Sequence, residues 1–114
     1  MGSPHIKGIS AKLISSALQG AESKGAETKR YDLIKCDIKY CKGCFRCVYE
    51  KHELSIGECP IKDDMADILE EYHKADGYIF ATPVYDVYVT ALMKTFLERK
   101  SNNYKLLSSI YNSS

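Results

Sequence analysis

The sequence predicts an α/β fold built on a parallel sheet, and three observations support that prediction. Amphipathic helical patterns alternate with short strand-like runs in the order loop, helix, strand, loop, helix, strand, loop, helix. Residues 78–81 are continuously apolar, as expected of a strand that is buried on both faces. The loops at 2–10, 36–59 and 82–90 are expected to meet outside the carboxyl ends of the strands, where ligands bind in such sheets.

Periodicity places the individual elements. Apolar residues at three-to-four spacing predict helices over 13–21, which Gly25 ends, over 63–74, and over 89–100. Alternation of apolar and polar residues predicts a first strand over 28–34. Because 114 residues suffice for one small domain, we assign residues 1–100 to it and the Ser/Asn-rich residues 101–114 to a polar tail.

Composition excludes several classes of function. The net charge of +1 predicts no electrostatic binding to nucleic acid or to anionic lipid. No apolar run approaches the roughly 20 residues of a membrane span, and the first residues lack a secretory apolar region, so we expect a cytoplasmic protein without membrane contact. In a reducing compartment, the 5 cysteines indicate metal or redox chemistry rather than a disulfide framework.

The cysteine-rich loop 36–59 is the strongest candidate site. Cys41, Cys44 and Cys47 follow one another at two-residue spacing, and Cys59 follows after a longer gap. Such spacing lets neighbouring thiolates turn inward on one tight loop, as in iron–sulfur and zinc sites. The alternative is a set of reduced, unliganded thiols. Cys36 is more simply a small buried residue, although Cys36-x4-Cys41-x2-Cys44 also resembles a plant-type [2Fe–2S] spacing.

A second candidate site is the Gly/Ser loop that precedes the first helix. Backbone N–H groups and the positive end of the helix dipole attract anions at such a position. Ser3 and Ser10 can add hydroxyl donors, and His5 and Lys7 can add positive charge, which predicts a phosphate site. The alternative is a simple helix cap. Asp63 is expected to start its helix, and Arg99 to lie on the solvated face of the last helix.

Four groups of residues, in this order, have the form of a known family: the loop Gly2-Ser3-Pro4 with Gly8, Ser10 and Leu13; the four clustered cysteines with Asp63-Asp64-Met65; Ala75-Asp76-Gly77; and Thr82-Pro83-Val84-Tyr85 with Lys94, Phe96 and Arg99. Taken together, they resemble the flavodoxin-like NADPH-dependent FMN reductases, and within them the iron–sulfur flavoproteins. The family begins with an apolar strand before this loop and continues with further strands after Arg99. The resemblance therefore implies a partial flavodoxin-like three-layer sandwich, without the first strand and the C-terminal strands.

The resemblance also implies cofactors and the residues that hold them. Ser3, His5, Lys7 and Ser10 would surround the FMN phosphate, and the segment Pro83, Val84, Tyr85 and Asp86 would lie beside the isoalloxazine ring. The cysteines Cys41, Cys44, Cys47 and Cys59 would hold a [4Fe–4S] cluster. Val87 stands where the family usually has Gly, and a β-branched residue rarely adopts positive φ.

The expected function is therefore that of an FMN-dependent oxidoreductase, which transfers electrons through FMN and the cluster. NAD(P)H or a ferredoxin-like protein would be the donor, and the family often forms homo-oligomers. No constellation of catalytic acid, base or nucleophile is visible, so we assign no catalytic side chain. The alternatives are a structural zinc-binding module held by the same cysteines, an inactive truncated fragment, and an FMN reductase with free thiols.

Overall fold

The computed structural model describes residues 1–46 and 59–100. In chain order they form helix α1 (Ile9–Ser23), a 3-10 turn (Leu33–Lys35), helix α2 (Met65–Lys74), strands β1 (Val84–Tyr85) and β2 (Tyr88–Val89), and helix α3 (Ala91–Lys100). These residues divide into two compact units, a first unit of Met1–Asp37 with Ala75–Lys94 and a second unit of Ile38–Lys74 with the residues from Thr95 onward. The tail predicted at 101–114 lies outside the described residues.

Helix α1 supplies the core of the first unit. It buries Ala11 and Ile14 together with Met1, and the half-buried Leu18 and Ala81 pack against them. The helix ends where the sequence predicts, because Gly25 takes the left-handed conformation at φ +89° that glycine adopts without steric cost. No described helix is both long and apolar enough to cross a membrane.

Backbone hydrogen bonds tie the first two residues to two other segments of the first unit. The Met1 amino group donates to the Tyr31 carbonyl at 2.6 Å, and the Leu33 N–H donates to the Met1 carbonyl at 3.0 Å. The Gly2 N–H donates to the Ala81 carbonyl at 2.7 Å. The bonds of Met1 alternate as those of a parallel bridge do. Among the described residues this pairing does not continue beyond Met1, and Leu33–Lys35 form a 3-10 turn, so the regular strand predicted over 28–34 is wrong.

The predicted strand at 78–81 is also wrong in its burial. Tyr78, Ile79 and Phe80 are exposed to 45%, 47% and 48%, and they have no regular strand structure. Within residues 1–46 and 59–100, the strand pairing is that of β1 with β2, which is antiparallel and joins Val84 to Val89 and Tyr85 to Tyr88. The parallel sheet is therefore not among the described elements and stays a prediction.

The other two predicted helices are confirmed, each beginning two residues later than the pattern suggests. In the second unit, α2 buries Met65, Ile68 and Leu69 at three-to-four spacing, while Phe96 of α3 is buried and meets the Tyr72 ring edge to face at 6.5 Å. The two late starts have the same cause. A polar side chain just before each helix accepts a backbone N–H group of its first turn, so that residue caps the helix and is not part of it. Asp63 Oδ1 accepts the Met65 N–H at 3.1 Å, and Thr90 Oγ1 accepts the Met93 N–H at 3.1 Å.

Candidate functional site

The Gly/Ser loop of the first unit folds back on itself before α1. Ser3 is buried, and its hydroxyl accepts the His5 N–H at 3.0 Å. The Gly8 N–H then donates to the His5 carbonyl at 3.1 Å. The buried hydroxyl of Ser3 therefore shapes the loop, whereas the side chains of His5 and Lys7 extend into solvent.

The start of α1 has the features of an anion site. Gly8 is the N-cap residue, no side chain caps the helix, and the first turn contains no acidic residue. The N–H groups of the first turn are thus unopposed by side-chain acceptors or negative charge, which favours an anion at this end. Ser10 lies in that first turn and is half-buried. Ser3, His5 and Lys7 therefore lie in the loop, and Ser10 lies in the helical turn that follows it; their role in binding phosphate stays a prediction.

A cavity of about 400 Å³ opens beside this loop, and among the predicted phosphate residues only Lys7 lines it. Arg30, which the sequence did not single out, lines it as well. Its guanidinium is held by Asp32 Oδ1 at 2.8 Å and by Ser15 Oγ at 3.0 Å. A fixed positive charge therefore lies in the same cavity wall as the exposed side chains of Lys7 and Lys12. No pattern of spacing marks Arg30, because its place in the cavity wall depends on the contact with Ser15, which lies 15 positions away in the chain.

The predicted flavin segment forms the β1–β2 hairpin. Val84 and Tyr85 make up β1, where they are exposed to 72% and 45%, and Pro83 precedes them half-buried. Asp86 and Val87 form the turn with φ of 49° and 60°. A two-residue hairpin turn of this hand requires positive φ at both central positions. The expectation that Val87 would avoid positive φ is therefore wrong, because the hairpin imposes it.

Thr90 joins the hairpin to the Gly/Ser loop. Its buried hydroxyl donates to the Gly2 carbonyl and accepts the Met93 N–H. The Gly2 N–H is bonded to the Ala81 carbonyl. If this pairing continued as a parallel ladder, the Gly2 carbonyl would next accept an N–H from residue 83. Pro83 has no N–H to donate. The Thr90 hydroxyl takes the place of that donor. The hydrogen bonds of Gly2 therefore hold the Gly/Ser loop next to the hairpin loop 82–90.

The cysteine loop belongs to the second unit. Gly43 and Phe45 have positive φ of 64° and 58°, so the backbone turns sharply on both sides of Cys44. The Gly43 N–H donates to Cys41 Sγ at 3.4 Å, a contact that stabilises negative charge on sulfur. Cys44 is exposed and Cys59 half-buried, and both are free thiols, as is Cys41. Cys47 lies outside the described residues.

Within the described ranges, no group of three or more His, Cys, Asp or Glu side chains is assembled as a metal site. The [4Fe–4S] ligand set therefore stays a prediction. Cys36 differs from the cysteines of the predicted ligand set, because it lies in the first unit and its thiol donates to the Asp32 carbonyl at 3.4 Å. That contact agrees with the interpretation of Cys36 as a structural residue.

Next to these cysteines, Arg99 and Asp63 form a buried ion pair that the sequence analysis missed. Their side chains are exposed to 1% and 0%, and Arg99 Nη1 lies 2.6 Å from Asp63 Oδ2. Arg99 was expected on a solvated helix face, and that expectation is wrong. A signal was present, because Arg99 follows Leu92 and Phe96 at seven- and three-residue spacing and so continues the apolar stripe of α3.

Burial and hydrogen bonding oppose each other in this pair. Burial alone would raise the pKa of Asp63, but hydrogen bonds from Arg99 and from the N–H groups of Lys39 and Met65 outweigh it, so the pKa is lowered. Burial alone would lower the pKa of Arg99, but its bond to Asp63 and the charge and hydrogen bonding of Cys59 raise it above its ordinary value. Both groups are therefore held in their charged forms.

Comparison with known proteins identifies the family. The family model described as NADPH-dependent FMN reductase matches residues 1–109, nearly the whole chain. The chain belongs to the NADPH-dependent FMN reductase family. The flavodoxin-like α/β fold of that family is consistent with the helices, and with the Gly/Ser loop that precedes α1.

Within the NADPH-dependent FMN reductase family, the chain is similar to proteins named iron–sulfur flavoproteins. One from Archaeoglobus fulgidus is 37% identical over 99 residues, which cover 87% of this chain and 42% of the relative. One from Methanocaldococcus jannaschii is 36% identical over 98 residues, covering 86% of this chain and 48% of the relative. One from Methanosarcina thermophila is 34% identical, with 86% and 48% covered. The chain thus spans a little under half the length of these relatives, and no solved structure matches it.

Proposed function

We propose that this chain takes part in an FMN-dependent oxidoreductase that transfers electrons between a donor and an acceptor through FMN and a [4Fe–4S] cluster. Family membership supports the flavin, and the name shared by the relatives supports the cluster. The observation that carries the proposal is the hydrogen-bonded point at Gly2, where the Ala81 carbonyl and the Thr90 hydroxyl tie the Gly/Ser loop to the hairpin loop. One flavin can reach both loops only if they start close together.

In the first unit, the proposal divides the flavin between two groups of residues. Ser3, His5, Lys7 and Ser10 would hold the phosphate, since the uncapped start of α1 offers backbone N–H donors there. Pro83, Val84, Tyr85 and Asp86 would lie along the isoalloxazine ring, because the hairpin exposes its apolar and aromatic side chains. FMN, when bound, supplies the conversion between two-electron and one-electron steps.

In the second unit, Cys41, Cys44, Cys47 and Cys59 would hold the cluster. The residues that are described fit this role in their chemistry, because Cys41, Cys44 and Cys59 are free thiols and the Gly43 N–H already points to a sulfur. The turns at Gly43 and Phe45 keep the backbone compact around Cys44. The cluster would supply one-electron transfer, and the chain would supply its position and its electrostatic surroundings.

Three further features belong to the same proposal. The donor is NAD(P)H or a ferredoxin-like protein, the functional form is a homo-oligomer, and the complete fold is a parallel sheet between helices. The parallel-type bridge in which Met1 bonds to the Tyr31 carbonyl and to the Leu33 N–H supports such a sheet.

The test is a chemical analysis of the anaerobically purified chain for FMN, iron, sulfide and zinc, together with its visible spectrum. We expect bound FMN, and iron and sulfide in equal amounts. The Cys44→Ser variant should lose the cluster absorbance and the electron transfer that depends on it. The matched variant Cys36→Ser should keep both, because Cys36 lies in the first unit and bonds to the backbone.

Other outcomes would select the alternatives. Zinc without iron, sulfide or flavin would indicate a structural zinc-binding module. No tight FMN binding after reconstitution, with poor protection from hydrogen exchange, would indicate an inactive fragment. Full flavin reduction by the Cys44→Ser variant would indicate an FMN reductase whose thiols are free.

A further inference from the structure

The cavity beside the Gly/Ser loop concentrates positive charge and hydrogen-bond donors. Its volume of about 400 Å³ lies within the range of about 300–1,000 Å³ that small-molecule sites have. Its polar lining consists of cationic, hydroxyl and amide side chains, which are those of Lys7, Lys12, Arg30, Ser15, Ser16 and Gln19. Among the described residues, no Asp or Glu lines it. The whole chain has a net charge of only +1, so this excess of cations is local.

The polar face of α1 forms one wall of the cavity. Its members recur at three- and four-residue spacing, which places them on one side of the helix. They are Lys12, Ser15, Ser16 and Gln19. From the first to the last of them the wall is about 10 Å long, at about 1.5 Å per residue. The cavity therefore extends well beyond the start of α1, and a ligand in it would meet side chains as well as the backbone of the first turn.

Arg30 is held in place before any ligand binds. Its Nε donates to Asp32 Oδ1 at 2.8 Å, and its Nη1 donates to Ser15 Oγ at 3.0 Å. Its Nη2 donates to the Ile6 carbonyl at 3.4 Å and contacts Met1 Sδ at 3.7 Å. A guanidinium has five N–H donors, so these contacts leave one donor on Nη1. The side chain is 24% exposed, and a ligand can therefore reach this donor without the cost of ordering the arginine.

The charge of the cavity matches that of a phosphomonoester. Asp32 balances the charge of Arg30, which leaves the two charges of Lys7 and Lys12. Both lysine side chains are exposed, and within the described residues neither forms an ion pair with a carboxylate. A phosphomonoester carries a charge of about −1.5 to −2 at neutral pH and has three strong acceptor oxygens. A carboxylate carries only one charge, so the lining favours phosphate.

We propose that this cavity binds a small phosphomonoester and that it is separate from the phosphate site proposed for FMN. Arg30 would donate to the phosphate oxygens, and Lys7 and Lys12 would balance their charge. The apolar members of the lining, Ile6 and Ala11, would contact the organic part of the ester. The inference goes beyond the proposed function and does not depend on it, because it requires neither flavin nor metal.

Titration of the full chain with phenyl phosphate at low ionic strength, followed by proton–nitrogen NMR spectra, tests the site. Benzoate is the comparison ligand, since it also carries one aromatic ring but has a single charge. We expect the largest shifts in the backbone N–H signals of residues 6–19 and of Arg30. Phenyl phosphate should bind about 10-fold more tightly than benzoate, the effect of one additional hydrogen bond between charged groups.

Removal of one lysine from the cavity distinguishes a site from general attraction. Lys12→Gln should weaken the binding of phenyl phosphate by about 5-fold and leave the Tm unchanged, because Lys12 is exposed. Lys24→Gln is the matched control, since it removes the same charge from an exposed residue that ends α1 and does not line the cavity. It should leave the affinity unchanged. Equal weakening by both variants, or benzoate binding as tightly as phenyl phosphate, would overturn the inference.

The source of the phosphate group is distinguished by two further titrations. Inorganic phosphate should bind more weakly than phenyl phosphate, and equal binding would overturn the assignment to an ester in favour of the free anion. Phenyl phosphate should bind with the same affinity to the chain saturated with FMN. Loss of binding there would mean that the flavin phosphate fills this cavity, which overturns the inference and leaves the proposed function intact. A chain that takes up no FMN but binds phenyl phosphate would refute the proposed function and support this site.

Discussion

Replacing Gly2 with alanine tests the close approach between the Gly/Ser loop and the start of α3. A Cβ atom at Gly2 would lie 2.7 Å from Met93 Cβ, 3.1 Å from Met93 Cε and 3.2 Å from Thr90 Oγ1. The Cε atom can move by rotation of the Met93 side chain. The Cβ atom of Met93 cannot, because it is fixed to the backbone of α3, so the added methyl group must displace either the loop or the helix.

The size of the effect follows from that distance. Carbon atoms in contact normally lie about 3.5–4.0 Å apart, so the backbone must move by about 1 Å. Overpacking of this kind costs about 1–3 kcal/mol. With a cost of about 2 kcal/mol, and about 4 °C per kcal/mol for a domain of this size, the Tm should fall by about 8 °C.

Thermal unfolding followed by far-UV circular dichroism measures the change, and Gly20→Ala is the matched control. Gly20 lies within α1, and a Cβ there would meet nothing within 4 Å. Its replacement should raise the Tm by about 4 °C, because alanine is favoured over glycine in a helix by about 1 kcal/mol. A Gly2→Ala chain that melts at or above the wild-type temperature, while Gly20→Ala behaves as expected, would refute the close packing.

Three further substitutions test other parts of the structure. Val87→Gly should stabilise the chain by about 1 kcal/mol in urea unfolding. Val87 has φ of 60° and is 94% exposed, so glycine relieves backbone strain without loss of packing. The control Val84→Gly, in β1, should destabilise the chain. Thr90→Val should cost about 2 kcal/mol in the same assay, since it removes the helix cap and leaves the Gly2 carbonyl without its hydroxyl donor; an unchanged free energy of unfolding would contradict these bonds. Asp63→Asn should cost about 3 kcal/mol at neutral pH, because Arg99 loses its buried partner. The pKa of Asp63 is lowered in the folded chain, so its contribution to the free energy of unfolding is present above the unfolded pKa and is lost as the pH falls through the folded pKa. The difference in free energy of unfolding between wild type and variant should therefore narrow below about pH 4. A difference that stays constant with pH would count against the ion pair.

The helices could be predicted because their signals are local. Three-to-four spacing of apolar residues and the glycine at position 25 predict α1 and its end, and the structure has Gly25 at φ +89°. The same spacing predicts α2 and α3. The starts were placed two residues early because a capping side chain, such as that of Thr90, cannot be distinguished from a first helical residue by periodicity alone.

The strands and part of the site could not be predicted, because their causes are distant in sequence. An apolar run such as 78–80 indicates burial only when other segments cover it, and the described residues leave it about half exposed. The hairpin turn at Asp86 and Val87 lacks the Asn-Gly or Asp-Gly signal of such turns. Arg99 was misplaced because an arginine within an apolar stripe is buried only if a carboxylate faces it, and Asp63 lies 36 positions away in the chain.

The Thr90 hydroxyl also has a consequence for the dynamics of the first unit. One oxygen atom holds the Gly2 carbonyl and the Met93 N–H, so fraying of the first turn of α3 also removes one of the two hydrogen bonds that hold the backbone of Gly2. Segments that lose their hydrogen bonds together open as one cooperative unit in hydrogen exchange. The loop that begins at Gly2 therefore loses part of its anchorage whenever that helical turn unwinds, and its mobility is coupled to that of the helix that follows the hairpin.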